Sequence, residues 1–136
     1  MNEVVIPILN KEFKVIFSWG SEEEVKKVLK KWKYPMDEIL KEHFRGRGVC
    51  FQFPGCNPVI ALPGLPKTPA EISALSHEAV HAVDYIFEII GEESCGEVFA
   101  YSVGAIVEEV LEEVKKKGKK KNARSTTSNT TSKAAI

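Results

Sequence analysis

The chain has 136 residues, 43% of them hydrophobic, with 19 basic and 19 acidic side chains. That length suits one domain with a modest core, and no apolar run approaches the roughly 20 residues that a membrane-spanning helix needs. The zero net charge hides an asymmetry, because residues 115–136 hold eight Lys or Arg and no acid, which leaves residues 1–114 at −8.

Taken in order, Val4 to Leu9 and Phe13 to Trp19 are β-rich runs joined by the polar Asn10-Lys11-Glu12, the pattern of a hairpin. Pro7 marks the first strand as an edge or an interrupted one. Ser21 with Glu24 predicts a capping box, and Val25, Val28, Leu29 and Trp32 form the apolar stripe of the helix that follows. Tyr34-Pro35 breaks it, and Met36 to Phe44 reads as a second short helix. His43 falls there, where a lone histidine is most often structural or exposed rather than a ligand. Val49 to Phe53 and Val59 to Leu62 read as strands around a Pro54-Gly55-Cys56-Asn57 turn.

Thr68 is a good N-cap, Pro69 fits the first helical position, and Glu71 stands where a capping box places its carboxylate. The helix they start runs to a stop at Gly91. Within it, His77 and His81 are four residues apart and lie one turn above the other on one face. With Glu78 beside them they spell His-Glu-x-x-His, whose mechanical reading is two imidazole ligands to Zn²⁺ and a glutamate free to move a proton. The last helix is expected from about Glu97 to Lys117. From Lys115 onward the Lys, Ser, Thr, Asn and Ala composition reads as a basic disordered tail. The fold class expected is therefore α+β. A single domain over residues 1–114 packs a short, mostly antiparallel sheet on the two long helices.

A catalytic zinc usually takes three protein ligands and leaves one position for water. Glu92 and Glu93 follow the far end of the histidine helix. The loop from Gly91 to Gly96, if extended, could run back along that helix and bring Glu97 to the metal. Glu108 and Glu109 could also reach it in a helical hairpin, although with Glu112 and Glu113 they look like a solvated acidic face. Spacing favours Glu97 over Glu108 without settling the choice. Cys50 and Cys56 lack the spacing of a zinc-binding pair, and Cys95 reads as a loop thiol. An odd cysteine count and an N-terminus without a basic region followed by a long apolar run suggest a reduced, cytoplasmic setting.

His77-Glu78-Ala79-Val80-His81 followed by Glu97-Val98-Phe99-Ala100-Tyr101 resembles the zincin metallopeptidases of the gluzincin type. His81-Ala82-Val83-Asp84-Tyr85 is similar to the segment after the second histidine in thermolysin-like members, with one residue fewer before the aspartate. The chain looks closest to the short, single-domain HExxH proteins of tailed bacteriophages, and the resemblance spans roughly residues 49–114. It implies a zincin-like fold, Zn²⁺ held by His77, His81 and Glu97, and Glu78 as the general base of peptide hydrolysis. For a phage-encoded chain it also implies the host cytoplasm.

In that picture Tyr101 would line the pocket or support the oxyanion, or simply pack. Asp84 would orient a histidine ring or stay solvated. Val59 to Leu62 would be either the sheet edge to which a peptide substrate adds or an ordinary core strand. The rival function is a zinc-stabilised binding or regulatory protein without turnover. The basic tail allows weak, sequence-independent contact with nucleic acid, although it has no aromatic side chain for stacking.

Overall fold

The computed structural model describes residues 1–41, 44 and 46–128, and of residues 40, 41 and 120–128 it describes the backbone alone. His43 therefore lies outside the described residues. Among the described residues four strands, β1 (Glu3–Ile8), β2 (Phe13–Trp19), β3 (Val49–Phe51) and β4 (Val59–Leu62), form one sheet in the order β1-β2-β4-β3. The β1–β2 and β3–β4 pairs are antiparallel and β2–β4 is parallel. Among the described residues four helices complete the α+β domain: α1 (Glu22–Lys31), α2 (Met36–Lys41), α3 (Pro69–Ile90) and α4 (Gly96–Ser128). No helix among the described residues is long and apolar enough to cross a membrane.

Period-two alternation sorts the strand side chains into two cores. Val15, Phe17 and Trp19 of β2, with Ile60 and Leu62 of β4, pack against α3 and α4. Ile16, Val59 and Ala61 point the other way onto Val25, Val28 and Leu29 of α1 and Ile39 of α2. The sheet is thus covered on both faces, which is why β2 and β4 read as continuous apolar runs rather than alternating ones. Pro7 costs the sheet nothing because β1 is an edge strand. Phe17 is fully buried and stacks on Trp19 with ring centroids 5.6 Å apart. Truncating it leaves a cavity in the larger core, so Phe17→Ala should cost about 3–5 kcal/mol in denaturant titration.

Both capping boxes form. The Ser21 hydroxyl accepts from the Glu24 amide, and the Thr68 hydroxyl accepts from the Glu71 amide. The Glu71 carboxylate in turn accepts from the Thr68 and Lys67 amides, which hold its pKa below the usual carboxylate range. α3 ends at Gly91 in the left-handed region (φ 75°), where the Glu92 amide reaches back to the Phe87 carbonyl.

Two sequence expectations change. β4 lies between β2 and β3, so it is the core strand of the two readings, and β3 is the edge. The last helix does not stop near Lys117 but continues to Ser128, so residues 118–128 of the expected disordered tail are helical. Lys, Arg and Ala are strong helix formers, and Glu113 pairs with Lys117 one turn on at 3.8 Å, in the favourable Glu-before-Lys order. The core residues that α4 supplies end at Val110. Removal of residues 118–136 should therefore reduce the helical circular-dichroism signal yet shift Tm by no more than about 2 °C.

Candidate functional site

The capped start of α3 sets the rotation of everything after it. Leu75, Ala79, Ala82, Val83 and Ile86 turn into the core, and this leaves His77 and His81 on the outward face. Their Nε2 atoms are 3.2 Å apart, with the rings at 73° to each other. Two nitrogens each about 2.0–2.1 Å from one tetrahedral zinc would stand about 3.3 Å apart, so the spacing fits a shared Zn²⁺. It equally suits a hydrogen bond between the rings, with one of them protonated at Nε2. Glu78 differs from the two histidines in burial. It is 9% exposed, and its Oε1 lies 3.9 Å from His77 Nε2.

The edge strand makes that burial possible. β3 lies along the flank of α3 that carries Glu78. A methyl group at Gly48 would stand 3.3 Å from Glu78 Cγ and 2.5 Å from Leu62 Cδ2, so any larger residue would push these side chains aside and glycine lets the chain pass this close. Just beyond β3, Gln52 Nε2 donates to the His81 carbonyl at 3.1 Å and ties the strand to the helix between the two ends of the site. Cys50 faces the same space. Burial, with a smaller contribution from the Glu78 charge, pushes its thiol up to about 12, so it is a neutral thiol here. Arg47, Gly48, Ala70, Ser73, Ala74, His77 and Glu78 line an open cleft of about 340 Å³ at the N-terminal end of the site.

Glu97 does not join the histidines. Among the described residues no third His, Cys, Asp or Glu completes a metal-holding group with them. α3 runs straight to Ile90 and the connection is short, so α4 turns back at once. Phe99 meets Phe87 at 5.3 Å between centroids. Glu97 is then level with about residue 89, some 12 Å along the axis from His81. Phe87 is nine residues past Glu78, two and a half turns, so α4 packs the flank of α3 opposite the one β3 covers. Glu108 and Glu109 are exposed on that far helix.

Tyr101 is 73% exposed and lines a separate groove with Pro7 to Lys11 of the β1–β2 hairpin. The Asp84 carboxylate accepts a hydrogen bond from the Ser94 hydroxyl, which anchors the α3–α4 loop, and it bonds neither ring. Cys95 is exposed in that loop, with Sγ 3.7 Å from Glu93 Oε2.

Sequence reasoning did not single out Gly48, Cys50 or Gln52 for the site. A polar Gln52 inside an apolar run, and a glycine just before a strand, were the available signals. Compared with protein families, with curated proteins and with solved structures, the chain matches none of them.

Proposed function

We propose that the protein is a zinc-dependent metallopeptidase whose working groups are His77, His81 and Glu78. The observation that carries this reading is the pair of outward Nε2 atoms 3.2 Å apart with a shielded carboxylate beside them. His77 and His81 would hold Zn²⁺, which when bound would supply Lewis acidity and lower the pKa of a coordinated water toward neutrality. Glu78, next to the pair, takes a proton from the attacking water and hands it to the departing amine. The chain at Gly48 passes close to the Glu78 side-chain stem, which narrows the space in which the carboxylate can swing. The outer edge of β3 runs beside these groups and can add an extended peptide through main-chain hydrogen bonds.

The rival, a zinc-stabilised binder, fits the donor set less well. A structural zinc is enclosed by four protein ligands, whereas the His77 side chain is 68% exposed, and such a site needs no general base. The zincin likeness rests on His77-Glu78-x-x-His81 alone, since Glu97 and Tyr101 stand apart from it. The basic segment after Val114 adds at most salt-dependent attraction to phosphates. Zinc content of the purified protein, measured with cleavage of a peptide library, tests the proposal. A zinc-loaded protein that cleaves nothing in the library would leave the binder.

A further inference from the structure

Past His81, the flank of α3 that carries Glu78 borders a second cleft. Glu78, His81, Tyr85 and Ile89 follow one another along α3 at spacings of three and four, so they form one flank of the helix. β3 and the turn after it run beside that flank in the same direction. Gly48 lies against Glu78 and Gln52 reaches the His81 carbonyl. The turn then meets Tyr85 and Ile89 across an open cleft of about 500 Å³. Phe13, Pro54, Pro58, Tyr85, Ile86 and Ile89 make its walls largely carbon, and Lys14 and Glu88 also border it. Burial, with Cys56 and Glu88 nearby, raises the Tyr85 phenol, so that group is neutral too. Prolines at both ends of the turn restrict its backbone, so the wall is preformed.

We propose that this cleft is the specificity subsite of the hydrolase and takes one large apolar side chain of an extended peptide. The side chain belongs two to three residues from the scissile bond. This rests on the metallopeptidase reading above. The distances set the position. Tyr85 is about 6 Å and Ile89 about 12 Å along the axis from His81, whereas an extended chain advances about 3.3 Å per residue. The cleft lies within the size range of ligand sites, about 300–1,000 Å³, and its carbon walls favour Phe, Tyr, Leu or Ile over Ala or a charged residue. At the other end of the site, Arg47, Ser73 and Glu78 make a polar cleft with no such preference. Apolar selectivity therefore falls on one side of the cleaved bond only.

The test uses the zinc-loaded full chain and acetylated Ala/Ser octapeptides carrying a single Phe moved along the sequence. Cleavage should be at least about tenfold faster when Phe stands two or three residues to one side of the bond. Ile89→Asp, at a 57% exposed position that the fold does not need, should bring that peptide down to the level of the all-Ala/Ser control with zinc content unchanged. Cleavage that is indifferent to the Phe position, or a preference that survives Ile89→Asp, overturns the subsite. Chemical-shift perturbation with the same peptides separates the two layers. Phe-dependent shifts at Phe13, Tyr85 and Ile89 without cleavage support the cleft and sink the hydrolase reading. A zinc-loaded protein that neither binds nor cleaves the Phe peptides sinks both.

Discussion

Glu78→Gln should keep its zinc and its melting temperature and lose about 10²–10⁴-fold in peptide hydrolysis. The substitution is close to isosteric, so the packing of Glu78 against Gly48 survives. The amide cannot accept a proton from the attacking water, and none of the other described groups around the site is a substitute base. Cys50 is a neutral thiol, and the Gln52 amide is committed to the His81 carbonyl. The two imidazoles are 3.2 Å apart and keep their positions on α3, so their capacity for zinc is unchanged. The measurement is a paired one, metal content by mass spectrometry and kcat/KM on the best library peptide. Turnover within tenfold of the parent would mean that Glu78 is buried for packing and that another group moves the proton.

The parts of this molecule that were legible in the sequence are those set by neighbours along the chain. Thr68, Pro69 and Glu71 announced the start of α3, Gly91 its end, and the rotation between them put both histidines on one face. Ser21 and Glu24 did the same for α1. The sheet order was out of reach because β3 and β4 are both short apolar runs. Which of them is the edge depends on where β4 docks, and it docks parallel to β2 after an excursion through α1 and α2. The environment of Glu78 was hidden for the same reason, since it comes from β3 lying on α3. The position of Glu97 was not legible because it depends on the long-range Phe87–Phe99 contact, which folds α4 back at once on the opposite flank, whereas an extended Gly91–Gly96 loop allows a return toward the histidines. The basic segment has few apolar residues, and this composition alone points to disorder. Its helix propensity, carried on from a helix already nucleated, extends α4 well past the core.

The strongest effect on the metal is expected from the histidines and the weakest from the glutamate that the family pattern would nominate. His77→Ala or His81→Ala removes half of a two-nitrogen donor set and should weaken zinc binding by more than about 100-fold in chelator competition, since even groups that only orient a ligand cost 10–100-fold. The double variant should hold no zinc. Glu97→Ala should bind zinc within about threefold of the parent, because the carboxylate begins α4 some 12 Å along the axis from His81 and no metal-holding group among the described residues includes it. Glu108→Ala should behave in the same way, exposed as it is on the helix that covers the other flank of α3. Both histidine positions face outward, so folding is not the confounder. Far-UV circular dichroism and Tm of the apo-proteins should agree across the series, and the comparison then reads metal affinity alone. Loss of zinc in Glu97→Ala at unchanged Tm would require α4 to swing across α3 when the metal binds, breaking the Phe87–Phe99 contact. A Phe99→Ala variant with tighter zinc binding than the parent would be the signature of that movement, and unchanged affinity in Phe99→Ala would rule it out.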